Sequence, residues 1–125
     1  CLCASGIFTP EAAELAAYKA RIRELRLGGA PEALETLLGI LRSSVHFELR
    51  AVAARRLGEL APERAANALR AALRDESAAV RIAALGALAG LGGEAGEQAI
   101  AQAAADENAS VRFEAQLRRS APAGL

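Results

Sequence analysis

Val80, Ala84, Ala87, Leu88 and Leu91 recur at steps of four, three, one and three. At about 100° per residue they fall on one stripe of a helix. Leu69, Ala72 and Leu73 repeat that spacing upstream, and Leu15, Tyr18, Ile22 and Leu25 do so nearer the start. The punctuation between these stripes is that of helix ends. Thr9-Pro10-Glu11 opens a helix that runs to about Leu27, and Gly28-Gly29 closes it. Pro62 sits in a first turn, where its missing N–H is harmless. Asp75-Glu76-Ser77 breaks the next helix, and Ser77 is placed to cap the one that follows, as Asn108 is later. Gly92-Gly93 ends that helix. The pattern predicts an all-α chain.

The helices come in register. DESAAVRIAA begins at Asp75 and DENASVRFEA at Asp106, 31 residues apart. The same interval back reaches Ser44 and the phrase SVHFELRAVAA. Pro31, Pro62 and Gly93 share a column, as do Glu32, Glu63 and Glu94, and Leu38, Leu69 and Ile100. Leu49-Arg50, Val80-Arg81 and Val111-Arg112 align without a gap. Three units follow, at about 30–60, 61–91 and 92–122, within residues 30–125. Residues 10–29 form a helix that caps the first unit, and residues 1–9 form a tether before it. A fixed period of this length is the signature of stacked repeats.

Paired helices of this length, joined by an Asp-containing turn and followed by Val-Arg and an Ala/Leu stripe, resemble HEAT repeats. The short bacterial type first recognised in phycobilisome lyases is the nearest in form. The resemblance covers roughly residues 30–120 and implies a short α-solenoid. It also implies a ladder between repeats, made by the turn Asp and the Arg six residues on. Asp75 with Arg81 and Asp106 with Arg112 fit that pattern. Arg50 fits as well, but Ser44 stands where its Asp is expected, which puts the first rung in question. The physics agrees, because an Arg at a buried helix edge needs an anionic or carbonyl partner.

Composition sharpens the picture. The chain has 125 residues, enough for one domain, and 53% of them are hydrophobic, so it folds rather than staying disordered. Aromatics are only 3% and Met and Trp are absent, so the core is built from Ala, Leu, Val and Ile in close layers. Fifteen basic groups balance fifteen acidic ones, which gives nucleic-acid binding no support. Measured from Val80, Ile82 points away from the buried stripe, with Leu85, Gly86 and Ala89 near it. Ala51 and Phe113 occupy the column of Ile82, and Arg55 and Leu117 that of Gly86. An apolar face where water is expected marks an interaction site. These residues are therefore expected to form a protein-binding groove rimmed by Arg55, Arg56 and Glu59. The competing reading packs them between neighbouring helices.

Catalytic chemistry finds no constellation. His46 is the sole histidine and stands in the helix-start column of Ser77 and Asn108. The carboxylates follow the repeat rather than converge. Gly92-Gly93-Glu94-Ala95-Gly96 follows a helix and not a strand, so it does not read as a phosphate loop. Arg118-Arg119 complements a helix dipole. No metal, cofactor or small-molecule substrate is expected. The chain opens Cys1-Leu2-Cys3 and contains no Met. Cys1 so placed resembles the processed N-terminus of a bacterial lipoprotein, and a fragment of a longer chain is the plain alternative. A Cys1–Cys3 disulfide would close a strained ring. The expectation is a non-catalytic scaffold subunit, anchored by lipid on Cys1 at the periplasmic or other extracytoplasmic side and bound to protein subunits of a larger membrane assembly. The alternatives are a soluble cytoplasmic adaptor and a partner subunit of an enzyme such as a bilin lyase.

Overall fold

The computed structural model describes residues 10–24 and 31–120. Among these residues there are seven helices and no strand. They are α1 (Pro10–Glu24), α2 (Pro31–Ser43), α3 (Phe47–Leu60), α4 (Pro62–Ala72), α5 (Ala78–Leu91), α6 (Gly93–Ala104) and α7 (Ala109–Ser120). Helices α2/α3, α4/α5 and α6/α7 are the three repeat hairpins, and α1 lies on α3. The expectations for Cys1, Cys3, the rest of residues 1–9, Leu25 and Gly28-Gly29 fall outside the described residues.

The local chemistry accounts for the breaks. Pro62 takes a first-turn position in α4. Gly92 adopts φ +78 and Gly93 φ +62, so the reversal between α5 and α6 uses backbone that residues with a side chain rarely enter. Asn108 Oδ1 accepts the backbone N–H groups of Ser110 (2.8 Å) and Val111 (3.3 Å), a cap on α7. Ser77 takes the N-cap position of α5 but its side chain makes no capping hydrogen bond. The turn is held one step earlier, where Asp75 Oδ1 accepts the Ser77 N–H at 2.9 Å. Asp106 does the same for Asn108, and the Ser44 hydroxyl for His46.

Layers of small and branched side chains fill the stack. Leu37, Leu57, Leu69, Val80, Leu85, Leu88 and Val111 are the largest fully buried groups. Ala53, Ala84 and Ala115 share one column and are all fully buried between them. The closest approach is α3 on α5. A methyl group built on Gly58 would lie 2.5 Å from the Ala87 Cβ, so no side chain fits there without moving a helix. The capping helix contributes Ile22 to the core, while Leu15 is half-buried and Tyr18 is largely exposed. Lys19 Nζ meets Glu48 Oε2 at 2.8 Å and ties α1 to α3.

The ladder runs between repeats. Arg50 Nε and Nη2 donate to Asp75 Oδ2 (2.9 Å) and Oδ1 (3.0 Å). Arg81 Nε and Nη2 donate to Asp106 Oδ2 (2.9 Å) and Oδ1 (3.2 Å). The remaining Nη1 of each Arg donates to its own turn: Arg50 to the Ser44 carbonyl, and Arg81 to the carbonyls of Asp75 and Glu76. The carboxylate partner of each Arg is thus the next repeat's Asp. Ser44 consequently leaves the Arg50 rung intact, against the expectation, because Arg50 needs only a carbonyl from that turn. Arg112, expected in the ladder, forms no rung among the described residues. Its Nη1 takes the carbonyls of Asp106 (2.8 Å) and Glu107 (2.9 Å), but it makes no ion pair among the described residues. The reason is positional, since α7 has no following turn among them.

Candidate functional site: a groove across three helices

The second helix of each repeat, α3, α5 and α7, presents one edge to a shared cleft of about 480 Å³. Its floor is α5, where Gly86 and Gly90 supply no side chain and Ile82 is half-buried. Arg55 and Glu59 of α3 form one wall, and Glu114 and Arg118 of α7 the other. Each wall therefore carries one cation and one anion. Arg118 leans over α5, its Nη2 3.2 Å from where a Gly86 Cβ would stand. Beside Glu114 and Arg118, one step further round α7, Phe113 is 59% exposed and Leu117 49% exposed. They lie four residues apart and so share a face of α7.

The structure sorts the expected groove residues. Arg55, Ile82 and Gly86 line the cleft, and Phe113 and Leu117 stand exposed at its α7 edge. Ala51 is half-buried and packs against the core, as does Ile82 in part. Leu85 does not belong to the groove, for it is fully buried. An interior helix has neighbours on both sides, so its buried arc is wider than a single stripe and takes in the Leu85 direction. Ala89 also leaves the groove and packs on α6, where its Cα would lie 3.5 Å from a Cβ on Gly96. Leu91 is half-buried, at the end of the α5 stripe. Arg56 is half-buried and pairs with Glu59 at 3.3 Å.

Gly58, Pro62, Gly90, Glu114 and Arg118 were not among the expected groove residues. The signal for Arg118 was available. It shares the column of Ala87 and falls one turn from the buried Ala115 and two from the buried Val111, so it had to lie toward α5. Its adjacency to Arg119 suggested a dipole role instead. His46 precedes α3, is exposed, and makes no side-chain cap. In the ladder, the hydrogen bond with Asp75 raises the Arg50 pKa above its ordinary value, burial opposes this, and the charges of Asp75 and Glu76 add to the rise. Arg50 is a fixed cation, suited to holding helices together and not to proton transfer.

The arrangement is an open cleft with a floor poor in side chains, walls of mixed charge and a flanking exposed apolar pair. Comparison with curated proteins gives no match. The family model for HEAT repeats matches residues 34–117, which span α2 to α7 and hold both rungs of the ladder. With that match laid over three helix hairpins stacked at a fixed period, the chain belongs to the HEAT-repeat family, an α-solenoid of the kind that serves as a protein-interaction scaffold.

Proposed function

We propose that the chain is a non-catalytic scaffold subunit whose α3/α5/α7 groove holds a segment of a protein partner within a larger assembly. The observation that carries this is the exposed pair Phe113 and Leu117 beside a cleft floored by Gly86 and Gly90. Large apolar groups beside a floor without side chains allow another backbone close approach, and aromatic anchors dominate such contacts. Arg55, Glu59, Glu114 and Arg118 would set the partner's register by charge.

The test starts from the full chain purified in its native complex, with co-purifying proteins identified by mass. Phe113→Asp should weaken the bound partner by about tenfold or more while helix content and unfolding midpoint stay unchanged. Unchanged affinity would remove the groove. Attachment to the extracytoplasmic face of a membrane through lipid on Cys1 is a proposal resting on the sequence reading alone. Acyl mass on Cys1 of the native chain supports it, and an unmodified Cys1 excludes it.

A further inference from the structure

The last helix carries a second surface, distinct from the groove. Arg112 repeats the pose of Arg50 and Arg81. Its Nη1 is held by two turn carbonyls, as that of Arg81 is. In the two inner repeats this pose aims Nε and Nη2 together at a carboxylate. In α7 the same edge is exposed and meets no carboxylate among the described residues. The guanidinium is therefore oriented in advance, by bonds that the chain makes twice elsewhere to grip an Asp. An oriented fork forms its two hydrogen bonds with little further loss of freedom.

The surroundings indicate the occupant. Ala54 and Leu85 share a column and are fully buried, but the column's third member is the exposed Gln116. Leu57 and Leu88 share another and are fully buried, but its third member is the exposed Arg119. The outer face of α7 has thus exchanged the apolar stacking surface for a polar, cationic one. Another repeat packed in the usual way would bury Arg119 and Gln116 without apolar partners. A second copy stacked end to end fails as well. It would bring Ser44 to the place of the Asp, and α1 already lies on its α3. A nucleic-acid backbone is poorly matched, since the exposed Glu107 adjoins Arg112 and the chain's net charge is zero.

We propose that the outer face of α7 docks an acidic segment of a partner protein. Arg112 takes one of its carboxylates in the two-pronged grip used on Asp75 and Asp106. Arg119 lies seven residues on, about 10 Å along the helix, and meets a second acidic group about two turns away. The segment that fits opens a helix on an Asp and carries another acid seven residues later.

A capped alanine-based peptide opening on Asp-Glu-Ser, with Glu seven residues after the Asp, is the probe. It is titrated into the full chain while the side-chain Nε–H resonances of the arginines are followed by NMR. The Arg112 signal should shift saturably while those of Arg50 and Arg81 stay still. Arg112→Lys keeps the charge but not the fork and should weaken binding at least fivefold with the unfolding midpoint unchanged. Arg119→Gln should also weaken it. Equal binding by Arg112→Lys, an equal response to the Asn/Gln version of the peptide, or no saturable shift would overturn the proposal. So would a stronger response to a short DNA duplex or to inorganic phosphate.

Discussion

Asp75 is the residue on which the middle of the stack converges. Its carboxylate takes the Arg50 fork, its Oδ1 also accepts the Ser77 N–H, and its carbonyl accepts from Arg81. Both side chains of the rung are mostly covered, at 10% and 14% exposed. Removing one partner of such a pair strands the other charge away from water. Asp75→Ala should therefore lose about 3 kcal/mol or more in urea denaturation. Glu76→Gln should leave the midpoint in place, since Glu76 is 91% exposed and lies 3.8 Å from Arg50. Ser44→Asp should change little, because the Arg50 fork already holds Asp75. The raised Arg50 pKa stabilises the fold fully below the ordinary arginine value and is lost only above the raised one. This group accordingly gives stability no pH dependence near neutrality. The residue types of the ladder were legible from the repeat. The direction of each rung was not, because one sequence column cannot say whether Arg reaches its own turn or the next.

At the scale of the helix, spacing between elements decides what glycine does. Gly58 lies where α3 and α5 nearly touch, and a Cβ there would stand 2.9 Å from the Ala87 Cα. Gly58→Ala should destabilise by about 1–3 kcal/mol through overpacking, although alanine is the better helix former. Gly39 lies inside α2 with nothing within 4 Å of a built Cβ. Gly39→Ala should stabilise by about 0.5–1 kcal/mol, as an open helical glycine does. Thermal unfolding of the two variants, read side by side, separates the effects by sign. In the sequence both are single glycines inside helical patterns. Only the neighbouring helix distinguishes them, and neighbouring helices likewise took Leu85 out of the groove and placed Arg118 in it.

Across the whole molecule, stability follows the number of neighbours. Helix α5 packs against α3, α4, α6 and α7, whereas the main neighbours of α7 among the described residues are α5 and α6. In stacked repeats each unit is stabilised by its intrinsic folding and its contacts with adjacent units. Amide hydrogen exchange should be slowest in α3 and α5 and markedly faster in α1 and α7. Uniform protection along the chain would contradict this order. Binding of an acidic segment on the outer face of α7 should slow exchange there first, because it covers a face that is exposed among the described residues.

The repeat spacing, the helix ends and the columns of Ala, Leu and Arg are enough by themselves to determine the stacked-helix architecture. Those signals are local, or recur at a fixed interval, and a linear chain records both. Which side of each helix faced a neighbour had to come from the stack itself. One column holds Arg50, Arg81 and Arg112, and another Ala54, Leu85 and Gln116. Their members differ in burial because, among the described residues, the inner helices are covered on two sides and α7 on one. Burial is a property of what lies alongside, and sequence order does not record which side chains those are.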